Sequence, residues 1–126
     1  MTHSKIAEYV WLEADLNFRS KARTLNLKNL KVNKLPDWNY DGSSTGQAKG
    51  HFSEVILKPA SVFNCPFRGE DNVIVWCETY LPDGTPTKSN TRKNALEIFS
   101  QDLESKPWYG LEQEYFILEP NTNKPL

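Results

Sequence analysis

The sequence holds 126 residues, with 15 Lys and Arg against 16 Asp and Glu and a formal net charge of −1. That length suits one domain with room for a piece of a second, and 38% hydrophobic residues with four Trp supply enough apolar material for a core. The cations are spread out, no apolar run reaches membrane-spanning length, and no apolar leader follows Met1, so we expect no nucleic-acid partner, no membrane partner and no signal peptide.

Taken in chain order, Ala7 to Asp15 reads as a strand around the β-formers Tyr9, Val10, Trp11 and Leu12. Asp15-Leu16-Asn17 is short enough for a hairpin turn. Phe18 to Leu25 alternates, with Arg19, Lys21 and Arg23 on one side and Phe18, Ser20, Ala22 and Thr24 on the other. We read the basic side as a solvated strand face, since charges usually stay in water. Asn26 to Leu35 fits neither the helix nor the strand period. Pro36 to Gly46 is a loop too rich in Gly, Asn, Asp and Ser for a helix or a central strand. Ser53 to Leu57 is a strand stopped by Pro59, and Ala60 to Asn72 is loop-like. Asn72 to Tyr80 is the most hydrophobic strand and is expected at the centre of a sheet. Leu81 to Thr85 is a turn. Asn90 to Leu103 is a helix with Asn90 as its N-cap and a stripe of Leu96, Phe99 and Leu103 assigned to the core. Tyr109 to Leu118 returns to strand character, and Glu119 to Leu126 is a tail expected to be mobile. Strands followed by one helix indicate an α+β fold, a small mixed sheet with the helix packed on it. Cys65 and Cys77 lack metal-ligand spacing, and reduced thiols in a cytoplasmic protein are expected. His3 and His51 are single and are read as incidental.

Two stretches carry chemistry. In Pro36 to Gly46, Trp38 and Tyr40 are anchors that a mere linker would not need, and Gly42 permits a turn that projects the Asp41 carboxylate. Ser43, Ser44 and Thr45 can hold that shape through local hydrogen bonds. An ionised carboxylate so placed can hold an ammonium ion or an Arg, or take a proton from a bound amine. The plain reading, a structured turn between strands, has equal standing on these residues alone. In Tyr109 to Phe116, a strand would put Glu112 and Glu114 on one face, their Cβ atoms roughly 6.5–7 Å apart. Carboxylates that close either flank a hard divalent ion or form an exposed, Lys- or Arg-paired face, and both readings stand.

Together the segments resemble the amino-terminal part of a glutamine synthetase of the eukaryotic-like type. The resemblance rests on Arg19 to Leu25, Trp38 to Gln47, Ser53 to Leu57 and Pro107 to Tyr115, supported by Pro66-Phe67-Arg68 and by Asn90, Arg92, Asn94 and Ala95. It spans almost the whole chain in the family's order. It implies a β-grasp domain over residues 1–88 and the beginning of the catalytic domain over 89–126, so that Tyr109 to Leu118 would be that domain's first strand. The family joins glutamate and ammonium with ATP through a γ-glutamyl phosphate, in ring-shaped oligomers whose active sites form between subunits. On this resemblance Asp41 binds and deprotonates ammonium and Ser44 supports its loop. Glu112 and Glu114 each ligate one Mg²⁺ or Mn²⁺ that bridges to the nucleotide, and Trp108 lies near that nucleotide. The partners implied are other glutamine synthetase subunits.

The sequence also departs from the family pattern. His51-Phe52 stands where an acidic residue usually precedes Ser-Glu, and Cys65 stands where an Asp commonly precedes Pro-Phe-Arg. The family's later motifs lie beyond Leu126, so this chain by itself is expected to bind neither ATP nor metal tightly and to lack ligase activity. Three readings follow: a truncated synthetase, a stand-alone β-grasp module that binds or regulates full-length synthetase, and an unrelated metal-binding module, which the four-segment match disfavours.

Overall fold

The computed structural model describes residues 4–26, 31–69 and 72–126; the middle of the Asn26–Leu35 stretch, and His3, lie outside the described residues. The strands are β1 (Lys5–Leu12), β2 (Phe18–Leu25), β3 (Trp38–Asp41), β4 (Glu54–Asn64) and β5 (Val73–Tyr80), and the one α-helix among the described residues is α1 (Thr91–Phe99). They form one mixed five-stranded sheet in the order β2-β1-β5-β4-β3. β5 is its centre, as its apolar sequence requires. It runs parallel to β1 and antiparallel to β4.

Alternation fills one face of this sheet. Ala7, Tyr9 and Trp11 of β1, Val73, Val75 and Cys77 of β5, and Leu57 of β4 point together into the core, joined by Leu25 and Leu35. The sheet curls around that core until its two edges meet. Lys21 of β2 reaches across to donate to the Asn39 carbonyl of β3 at 2.8 Å, and its ammonium lies 3.6 Å from the centre of the Trp38 ring, with Arg23 at 4.8 Å. The basic side of β2 is therefore not a solvated face. Its long aliphatic stems and cationic heads cover an aromatic ring, which water cannot do as well. Burial, and then the neighbouring Arg23 charge, lower the Lys21 pKa.

Two element boundaries differ from expectation. Pro59 does not stop β4. The strand continues to Asn64, with a register shift between Pro59 and Ser61 that leaves Ala60 as the extra residue of a bulge. A bulge disrupts the ladder locally and so accommodates a residue without an N–H. β3 pairs with β4 only from Leu57 back to Glu54, so Pro59 also sits past the end of that pairing. Within the expected loop, Trp38–Asp41 is a short edge strand, a position where a polar, four-residue strand is tolerated.

The larger correction concerns the second part of the chain. Asn90 does cap α1, accepting from the Lys93 amide at 3.2 Å, but the helix ends at Phe99 and buries no residue. The stripe assigned to the core is exposed, Leu96 at 52% and Leu103 at 72%. The helix is thus not packed on the sheet. The predicted strand from Tyr109 to Leu118 does not form; its one pairing is a bridge from Leu118 to Pro125. A strand is stable only with a partner, and none of the described residues offers one there. The tail closes on itself instead, with Glu119 N donating to Lys124 O and Leu126 N to Ile117 O.

Candidate functional site

The edge strand β3 delivers Asp41 to a single 3₁₀ turn, Gly42–Thr45. Trp38 meets Tyr9 edge-on at 5.4 Å, and Tyr40 lies against Trp11 at 4.5 Å, so both anchors hold the strand to the core. Gly42 is required by close approach. A Cβ there would sit 2.4 Å from Cγ2 of Val55 and 3.1 Å from the Ser53 carbonyl. The left-handed backbone that closes the turn belongs instead to Gly46, at φ 68°, where lacking a Cβ removes the strain.

The Asp41 carboxylate is fully exposed yet firmly held. Its Oδ1 accepts from the Ser43 hydroxyl at 2.6 Å and the Ser43 amide at 2.9 Å. The Ser43 hydroxyl, then the Ser43 amide, then Ser53 hold its pKa below the usual carboxylate range. These bonds favour the ionised form. Ser44 does not touch the carboxylate; its hydroxyl donates to the Asp41 carbonyl at 3.0 Å and tightens the turn. The group so prepared is a fixed negative charge facing outward. It suits a bound cation better than it suits a proton, because a lowered pKa makes a weak base.

Gln47 ties this turn to the rest of the fold. The Tyr40 hydroxyl donates to its Oε1. Its Nε2 donates to the Leu12 carbonyl at 2.9 Å and to the Ser89 hydroxyl at 2.8 Å. The Asp41 turn, the end of β1 and the segment entering α1 therefore share one side chain. Asn90 continues the link by donating to the Thr79 carbonyl at 3.1 Å, and Arg92 pairs with Glu78 at 3.2 Å. Sequence reasoning named the turn but missed Ser43 as the carboxylate's holder and Gln47 as its tether. The first was signalled, since Asp with Ser two residues on is an Asx-turn pattern. The second bridges positions 35 and 42 residues away, a distance no local motif reports.

Glu112, Glu114 and Trp108 lie together on the exposed segment after α1, where Trp108 is 97% exposed and no strand fixes the two carboxylates on one face. No hydrogen bond or ion pair joins either Glu to the Asp41 turn among the described residues. Nor do the described residues contain any group of three or more His, Cys, Asp or Glu side chains able to hold an ion. Carboxylate oxygens suit Mg²⁺ or Mn²⁺ in kind, but about six donors surround such an ion. Two carboxylates with no third donor do not make a complete site. Cys65 and Cys77 are both free and buried. No helix among the described residues is long and apolar enough to cross a membrane.

No protein-family model matches the chain. Individual proteins do. It is 52% identical over 124 residues to the chloroplastic glutamine synthetase of Brassica napus, covering 96% of this chain and 29% of that protein. It is 51% identical over 128 aligned residues to glutamine synthetase root isozyme 3 of Zea mays, covering 99% of this chain and 36% of the relative. The glutamine synthetase cytosolic isozyme 1-1 of Oryza sativa subsp. japonica is 50% identical with the same two coverages. The chain thus spans about a third of the length of the curated relatives it matches.

Proposed function

The chain is a glutamine synthetase homologue along nearly all of its length, and from that premise we propose that it supplies the ammonium-binding turn of a glutamate–ammonia ligase. Its curled sheet acts as the β-grasp domain over residues 1–88, and 89–126 begin the catalytic domain. The observation that carries this reading is the Asp41 carboxylate, exposed and kept ionised by Ser43. A fixed anion on a rigid turn attracts ammonium and sets its orientation. Ser44 acts one step behind, by holding the Asp41 backbone. Deprotonation of the bound ammonium asks more of Asp41 than its lowered pKa offers in water. Excluding water by closure of a neighbouring subunit over the turn would raise that proton affinity. Such a neighbour is the partner this reading requires.

Glu112 and Glu114 contribute two of the carboxylates that hold Mg²⁺ or Mn²⁺ against ATP, and Trp108 flanks the nucleotide. The ions would neutralise charge in phosphoryl transfer. Two carboxylates are fewer than the about six donors such an ion takes, so on this reading the 126-residue chain needs ligands from elsewhere to form glutamine. We place the protein in the cytoplasm, as the name of the rice relative places that isozyme. The Brassica relative carries a chloroplastic name, so cell fractionation decides the compartment.

A chimera tests the assignment. This chain replaces the aligned third of the Zea mays root isozyme, and glutamine formation is measured with and without Asp41→Ala. The chimera is expected to be active, and the substitution to lower kcat by about 10²–10⁴-fold. A folded, assembled chimera that keeps full activity with Ala at 41 would remove Asp41 from the reaction.

A further inference from the structure

We propose that the cleft beside the Asp41 turn binds a small organic anion with an apolar body. The cleft has a volume of about 790 Å³, within the range of small-molecule sites. Its apolar walls are Leu16 from the β1–β2 turn, Phe52 from the loop before β4, and Leu81 and Pro86 from the segment after β5. Leu16 and Phe52 are held out in water, 56% and 89% exposed. Leu16 also adopts a left-handed backbone, φ 62°, where a branched side chain is strained.

Charge defines the occupant. Lys49 and Lys88 line the cleft, and among the described residues no Asp or Glu does. Neither lysine has an acidic partner among the described residues. Thr91, the first residue of α1, adds a hydroxyl at the positive end of that helix. Gln47, Thr87 and Ser89 are already bonded to one another or to the Leu12 carbonyl, so they form wall rather than ligand contacts. Two lysines without an acidic partner among the described residues, lining a cleft with apolar walls, match a carboxylate or sulfonate head on an aliphatic or aromatic body. Glutamate, with no apolar body, does not match, and ammonium is repelled. The cleft is thus opposite in preference to Asp41, which is not part of its lining. The two share Gly46 and Gln47, so occupancy would be felt at the turn. The inference stands on this cleft and is independent of the ligase reading.

The test is a titration of the isotope-labelled 126-residue chain with 3-phenylpropanoate, followed by amide chemical shifts. Its neutral amide and glutamate serve as comparators. Saturable shifts are expected at Leu16, Lys49 to Phe52 and Lys88 to Thr91, with both comparators at least about tenfold weaker. The Lys49→Gln/Lys88→Gln variant should lose the same factor, about that of one charged contact. Both lysines are exposed, so the variant's own spectrum reports that it is folded, and Lys49→Arg/Lys88→Arg should retain binding. Equal affinity for the neutral amide, shifts confined to Leu96 to Phe116, or no saturation would each overturn the proposal.

Discussion

The sheet and the segment after it carry equally recognisable motifs, yet only one of them is given a shape. Around Asp41, Val55, Leu57, Val75 and Tyr9 are fully buried, and the turn is tied through Gln47 to three other segments. From Thr91 onward no residue is buried. Glu112 and Glu114 have the identities a metal site needs without the fixed geometry. A side chain's identity states which chemistry it can do. Its support decides whether that chemistry is available, because a group contributes its full effect only when it is held in the reactive geometry.

Substitutions can break or sharpen this contrast. The largest effect is expected in the core: Leu57→Ala should lower unfolding stability by about 2–5 kcal/mol, while Leu96→Ala on the exposed helix stripe should change it by no more than about 0.5 kcal/mol. Urea midpoints on the two variants measure the gap, and equal losses would mean that the stripe is covered. Glycines give the next comparison. Gly42→Ala drives a Cβ into Val55 and should cost about 1–3 kcal/mol, whereas Gly110→Ala meets nothing within 4 Å and should be near neutral. Gln47→Ala removes the tether and should cost about 1–2 kcal/mol, with faster amide exchange at Gly42 to Thr45.

The smallest effect is electrostatic. Asp41 titrates lower in the folded chain than its ordinary value, through Ser43 and Ser53. Its contribution to stability is therefore complete above the unfolded pKa and is lost as pH falls through the folded one. Ser43→Ala should move the Asp41 titration, followed by carboxyl carbon shifts, back up toward the ordinary carboxylate range. An unmoved midpoint would mean that the Ser43 hydroxyl does not hold the carboxylate.

Much of the sheet was legible in the sequence. Phe18 to Leu25 is a strand at both ends as read, β5 falls within Asn72 to Tyr80 and lies at the centre, and Asn90 caps the helix. Period-2 alternation and capping are local signals, and they survive because tertiary packing agrees with them. Reading failed where the outcome depends on distant residues. The basic side of β2 looked solvated because Trp38 reaches it only when the sheet curls. Pro59 looked like a stop because a bulge is set by the partner strand. The helix stripe looked like core because periodicity says that a face is apolar and not what covers it. At the candidate site, the Asp41 turn was readable from its residue types, and the paired carboxylates were readable only as types.

Amide hydrogen exchange on the 126-residue chain compares the two regions most directly. We expect strong protection in β1, β4 and β5 and measurable protection at Ser43 to Gln47, with residues 108–117 exchanging close to the unfolded-chain rate. Protection of 108–117 matching that of β5 would contradict this account, because it would mean that the segment bearing Glu112 and Glu114 is supported as firmly as the sheet that carries Asp41.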